Sequence, residues 1–151
     1  MTETITMTFA ALAVLWNTPT EESQITGIAT YNNRMATVAY NRGHIPDPLD
    51  YQLWLDEEGL VGTVALNRRA DLGRRVWIDG PLGFEGPFLV IDCAQLRHLK
   101  RRLQLERIVD VDHITGERWN MQKPIPVTVH FQDPRLWDHP MPASPDQPVP
   151  I

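Results

Sequence analysis

Short apolar runs, several of them alternating with polar residues, recur along the chain from residue 27 to residue 131. Turn-forming residues such as Asn41, Gly43 and Gly83 separate these runs. Runs of this length between turns are typical of β-strands. The predicted strands are residues 27–31, 35–40, 60–66, 74–78, 87–91, 107–111 and 125–131. Such a succession of short strands favours a mainly all-β fold, either a small barrel or a sandwich.

Two segments between the strands follow a helical period instead. Leu96, Leu99 and Leu103 recur at spacings of three and four residues, which places them on one face of a helix over residues 95–106. The basic side chains between these leucines then form the opposite, solvated face. A second short helix is predicted over residues 114–121, with Trp119 pointing inward.

The two ends of the chain differ from its centre. Residues 4–9 alternate as a strand does, residues 10–16 are apolar and suit a helix or a buried strand, and a polar linker follows. Residues 133–151 are rich in proline, which predicts an extended tail. We therefore divide the chain into an N-terminal arm and linker (1–24), a barrel domain (25–132) and a C-terminal tail (133–151). Arms of this kind can dock on neighbouring proteins.

Charge narrows the choice of partners. The 151 residues carry a formal net charge of −5, which argues against nucleic acid as the partner. Between positions 68 and 118, however, ten Lys or Arg residues stand against eight Asp or Glu residues. This mildly basic centre fits either a mixed, solvated surface or contact with an anionic polymer.

The apolar residues 8–16 are the candidate targeting segment. Nine residues are too few to span a bilayer, so we predict no membrane span. A secretory signal has a basic region at its start, whereas the first basic residue of this chain is Arg34. The segment is therefore not a convincing signal peptide.

The sequence lacks the motifs of several common kinds of functional site. The single cysteine, Cys93, lies in an apolar run and is interpreted as a core residue. The five histidines have no spacing suited to zinc, and no phosphate loop or dinucleotide fingerprint is present. We expect neither a metal nor a cofactor.

Two aspartates close predicted strands and precede predicted helices. Asp92 ends the strand that follows "GPF" (86–88), and Asp110 ends a second strand in "RIVDVDHITGERW" (107–119). With the opening "GIATYNN" (27–33) and the segment "VALNRRADLGRRVWI" (64–78), this order resembles the double-psi β-barrel of rare lipoprotein A and its barwin-like, expansin and three-aspartate relatives. The resemblance covers residues 27–131. It implies a six- or seven-stranded double-psi-like β-barrel with one or two short helices.

The resemblance also implies a function directed at peptidoglycan, the cell-wall glycan. Lytic cleavage of a glycan needs one carboxyl group that protonates the leaving oxygen and a second, nearby carboxylate. The resemblance gives these catalytic roles to Asp92 and Asp110, with Asp112 as a reserve and substrate-binding candidate. Asn67 stands where the family has a titrating His or Asp, and it is therefore a substrate-binding candidate only. Trp54, in an acidic segment expected to be a loop, is the candidate platform for a sugar ring.

Three alternatives stay open from the sequence. The domain is either a lytic-transglycosylase-like enzyme or a degenerate relative that binds glycan without cutting it. In a further alternative it is a non-catalytic subunit of a phage tail, virion or surface filament, and the aspartates simply cap helices. If the resemblance holds, the protein works outside the cell, in the cell envelope or in a virion.

Overall fold

The computed structural model of the protein describes residues 7–136, in which six strands close into a barrel. Around the barrel the strands follow the order β1-β5-β2-β4-β3-β6, and β6 pairs with β1. The predicted class, a small and mainly all-β barrel with short helices, is confirmed. The strands are β1 (Gln24–Asn32), β2 (Gly62–Leu66), β3 (Arg75–Gly80), β4 (Gly83–Cys93), β5 (Arg107–Asp112) and β6 (Ile125–His130).

The barrel mixes parallel and antiparallel neighbours. β1 runs parallel to β5, and β2 runs parallel to β4. The other four pairs are antiparallel. β5 therefore lies between the parallel partner β1 and the antiparallel partner β2, and this arrangement brings three distant parts of the chain side by side.

Five short α-helices surround the barrel in the described part of the chain. The predicted helices at 95–106 and 114–121 are confirmed as α4 and α5. The prediction of a strand at 35–40 is wrong, because Met35 and Ala39 are four residues apart and are buried on one face of a helix. The helices are α1 (Phe9–Trp16), α2 (Met35–Asn41), α3 (Tyr51–Glu58), α4 (Leu96–Gln104) and α5 (His113–Arg118), with 3-10 turns at Pro48–Asp50, Arg69–Asp71 and Pro134–Leu136.

Apolar side chains form two layers. Alternate residues of every strand fill the barrel, as Val109 and Val111 do in β5. A second, outer cluster covers one side of the barrel, where α2 and α3 pack over Ala65 and Ile91. The strands of this side are therefore covered on both faces, and this explains why all five residues of β2 are buried.

The segment interpreted as an arm is held against the barrel over its described part. Leu12 of α1 is buried, and the indole Nε1 of Trp16 donates to the carbonyl of Ala94 at 2.8 Å. The amide and hydroxyl of Thr20 both donate to the buried carboxylate of Asp71. The predicted alternation begins before residue 7 and most of the predicted tail follows residue 136, and those parts lie outside the described residues.

No helix within residues 7–136 combines the length and the apolar character needed to cross a membrane.

Trp119 points inward as predicted, and its substitution tests how much its contacts stabilise the fold. Its ring lies against Gly80, and its Nε1 donates to Glu85 at 2.5 Å. Trp119→Phe removes this hydrogen bond and part of the ring, so we expect a loss of about 1.5 kcal/mol in the free energy of unfolding, measured by urea denaturation. Trp77→Phe is the control, since Trp77 is only half-buried. An equal loss in both variants would contradict the assigned role of the Glu85 contact.

Candidate functional site

The two aspartates predicted as catalytic lie on either side of one alanine. Ala65 of β2 pairs with Asp110 of β5 on one side and with Asp92 of β4 on the other. Val109 and Val111 point into the barrel, so Asp110 points outward between them. Neighbouring strands lie about 4.8 Å apart, which puts the Cα atoms of the two aspartates roughly 10 Å from each other.

A fourth residue continues this line. Thr30 of β1 pairs with Asp110, and its hydroxyl donates to the Asp110 carboxylate. We call Asp92, Ala65, Asp110 and Thr30 the polar row, although Ala65 itself is apolar and buried beneath α2 and α3. The row crosses four adjacent strands at right angles to their direction.

Each carboxylate of the polar row is engaged by a guanidinium group. Arg42, which follows α2, donates to Asp92 at 3.0 Å. Arg102 of α4 lies 3.4 Å from both oxygens of Asp110. The side chains of Asp92 and Asp110 keep 27% and 21% of their surface exposed, so a ligand can still reach both.

Asn67, predicted to bind substrate, belongs to this network. Its Nδ2 donates to the carbonyl of Arg107 at 2.8 Å, and its Oδ1 accepts from Nε of Arg102 at 2.6 Å. Both ends of the amide are therefore used within the protein. Asn67 fixes the direction of Arg102, and Arg102 in turn reaches Asp110.

Asp112 lies apart from the polar row. It is fully buried and begins α5, where its Oδ1 accepts from the backbone amide of Thr115 at 3.0 Å. Its Oδ2 accepts from the Tyr51 hydroxyl at 2.6 Å and from the amide of Thr63 at 3.3 Å. The sequence allowed the aspartates to act as helix caps, and Asp112 does so as the N-cap of α5.

The buried surroundings of Asp112 also change the pKa of the neighbouring Tyr51. Burial, reinforced by the charge of Asp112, raises the pKa of Tyr51 well above its usual value. The phenol therefore stays protonated and serves as a donor to Asp112. Gly62 is needed beside this carboxylate, since a Cβ there would lie 2.8 Å from Oδ2.

Trp54, the predicted sugar platform, stands on α3. The expectation of a loop over residues 50–59 is wrong, because Tyr51 and Leu55 form a buried face and Gly59 ends the helix with a positive φ of 67°. The Trp54 ring is half-buried over the outer cluster, with its centroid 5.2 Å from that of His44. It shares that cluster with Ala65, but it is not part of the polar row.

Sequence reasoning missed Arg42, Arg102 and Thr30. Arg102 was assigned to a solvated helix face, and Arg42 to a turn. Arg42 reaches Asp92 across 50 residues of sequence, and Thr30 reaches Asp110 across 80. A local hydrophobic pattern carries no signal for pairings of that length.

Two further kinds of chemistry were considered at the site, a nucleophilic thiol and a bound metal ion. Burial and the charge of Asp92 raise the pKa of the Cys93 thiol, which disfavours the reactive thiolate. Within residues 7–136, no group of three His, Cys, Asp or Glu side chains is arranged to hold a metal ion. What the polar row offers is a partly exposed set of carboxylate acceptors and guanidinium donors.

Comparisons of the chain with protein-family models, with curated proteins and with solved structures give no significant match.

Proposed function

We propose that this domain binds the glycan of peptidoglycan through the partly exposed carboxylates and guanidinium groups of the polar row and does not cleave it. The observation that carries the proposal is the engagement of both candidate acids by guanidinium groups, Asp92 by Arg42 and Asp110 by Arg102. The resemblance to the double-psi β-barrels of cell-wall proteins supplies the choice of glycan.

The polar row suits hydroxyl-rich ligands. A sugar presents neighbouring hydroxyls, each of which both donates and accepts, so it pairs with carboxylates and guanidinium groups alike. Arg42 and Asp92 are both partly exposed, and Asp110 keeps part of its surface exposed on the other side of the buried Ala65. The network through Asn67 holds Arg102 in place before a ligand arrives, which reduces the entropy lost on binding.

Cleavage of the glycan requires a proton donor that the polar row does not provide. The lytic reaction needs one carboxyl that holds a proton and points it at the leaving oxygen. Here Asp92 and Asp110 both act as hydrogen-bond acceptors toward cationic or hydroxyl donors. Asn67 has no proton to exchange, so it does not replace the titrating residue of the resembled families.

Asp110→Asn is the test of this function. We expect it to weaken binding to purified peptidoglycan sacculi about tenfold, because one charged acceptor is lost and Arg102 keeps only its bond to Asn67. Binding is measured by co-sedimentation, and soluble products are analysed by mass spectrometry. Asp79→Asn, at an exposed position on β3, is the control and leaves binding unchanged.

Two outcomes would count against the proposal. Release of anhydro-sugar fragments by the unaltered protein, abolished in Asp110→Asn, makes the domain an enzyme. No retention of the unaltered protein on sacculi removes the glycan role and favours the assembly-subunit alternative.

A further inference from the structure

A second polar concavity lies where β1 ends beside α5. This cleft has a volume of about 440 Å³, within the range of small-ligand sites. The side chains that matter for its chemistry are those of Tyr31, Asn33, His113, Glu117, Asn120 and Gln122. None of them was singled out above for binding.

Tyr31 gives the cleft an aromatic surface. It is 53% exposed, so a ligand can reach its ring. Gly116 of α5 lies directly against it, since a Cβ on that glycine would be 3.0 Å from both Cβ and Cγ of Tyr31. The helix therefore backs the tyrosine closely, and this restricts the movement of its ring.

Uncharged polar groups surround this aromatic side chain. Asn120 follows α5 with a positive φ of 52°, and Gln122 Nε2 lies 3.4 Å from its Oδ1. Nδ1 of His113 is enclosed and has no hydrogen-bond partner among residues 7–136, which leaves Nε2 as the ring nitrogen available to a ligand. Glu117 is the one charged residue in the lining, and no Lys or Arg takes part. The cleft therefore suits a neutral ligand rather than an anion.

We infer that this cleft is a subsite for one neutral, N-acetylated pyranose unit of a glycan. Side-chain amides complement the N-acetyl amide, and an exposed tyrosine suits the apolar face of a sugar ring. This inference rests on the proposed function, which supplies the choice of a glycan. Tyr31 follows Thr30 in β1, but it pairs with Val111 and lies on the core-facing side of the strand, at the end of the barrel.

The test uses soluble tetramers of N-acetylglucosamine, with binding followed by calorimetry and by the NMR shifts of the α5 amides. We expect Tyr31→Ala to weaken binding about tenfold. Asn120→Gly keeps the positive-φ backbone and removes only the amide, and we expect a loss of about fivefold. The control is Tyr40→Ala, at a tyrosine on α2 that is 46% exposed and lies outside the cleft.

The outcomes separate this inference from the proposed function. If the unaltered protein binds sacculi and Asp110→Asn weakens that binding, the function stands. An unchanged affinity for the tetramer in both cleft variants, or no tetramer binding at all, then overturns the subsite alone. Equal affinity for the glucose tetramer, which has no N-acetyl group, overturns the assigned ligand class. Failure of the unaltered protein to bind either glycan overturns both proposals.

Discussion

Replacing Asp112 by alanine is expected to lower the free energy of unfolding by about 4 kcal/mol. The buried carboxylate accepts hydrogen bonds from Tyr51, Thr63 and Thr115, which belong to three different elements. Alanine removes the N-cap of α5 and leaves a phenol and two backbone amides without their acceptor. Urea denaturation followed by tryptophan fluorescence measures the loss.

Asp112→Asn is the matched variant, since it retains one acceptor oxygen and nearly the same shape. We expect it to lose about half as much stability as the alanine variant. Gly62→Ala should also destabilise the fold, because its Cβ would enter the space held by the carboxylate. A loss below about 1 kcal/mol in Asp112→Ala would show that the network stabilises little.

The same network predicts a dependence on alkaline pH. The folded protein keeps Tyr51 protonated, whereas the unfolded chain releases that proton near pH 10.0. The unfolded state then binds fewer protons than the folded state, so this contribution is complete below that pH and falls as the pH rises above it. Between about pH 9 and pH 11, the protein should lose more stability than its Tyr51→Phe variant does. If the unaltered protein and Tyr51→Phe lose the same amount of stability over this pH range, the raised pKa of Tyr51 is contradicted.

The second large effect is expected at Asp71. Its carboxylate is 1% exposed and accepts from the amide and hydroxyl of Thr20 and from Arg74. Asp71→Ala leaves the Thr20 amide and hydroxyl without this acceptor, whereas Arg74 keeps the Thr20 carbonyl, and we expect a loss of about 3 kcal/mol in the free energy of unfolding. Because Thr20 lies between α1 and β1, the loss should fall most heavily on the segment that contains α1.

Hydrogen exchange locates that effect. In Asp71→Ala, the backbone amides of Phe9–Trp16 should lose more protection than those of β5. Asp79→Ala, at an exposed aspartate of β3, should change neither the stability nor the exchange pattern. A uniform loss of protection across the chain would mean that Asp71 supports the barrel itself and not the N-terminal segment.

The sequence predicted the barrel strands well for a physical reason. Strands such as β5 alternate between core and outer face, and that period is visible in single residues such as Val109 and Val111. Residues 35–40 were misassigned because a short apolar run fits a helix and a strand almost equally. In α3 the predicted loop was chosen from acidic composition, although the Tyr51–Leu55 spacing and Gly59 carried the helical signal.

The sequence predicted the two acids of the candidate site but not the residues around them. Asp92 and Asp110 were chosen because they stand where the resembled families have an Asp at the end of a strand, and the barrel register places them on either side of Ala65. Their guanidinium partners depend on how α2 and α4 pack on the barrel, and packing direction leaves no trace in local sequence. The Tyr31 cleft was missed because its lining comes from a strand end and a helix end that meet only in the folded chain.

Closure of the barrel has a consequence for self-association. With β6 paired to β1, no strand within residues 7–136 presents an unpaired row of backbone amides and carbonyls along the sheet. Such rows are the templates on which foreign strands add and from which amyloid-like stacking grows. Two folded copies therefore have no complete sheet edge within residues 7–136 through which to join. Contacts that this part of the chain makes between copies then depend on side chains, where single substitutions can abolish them.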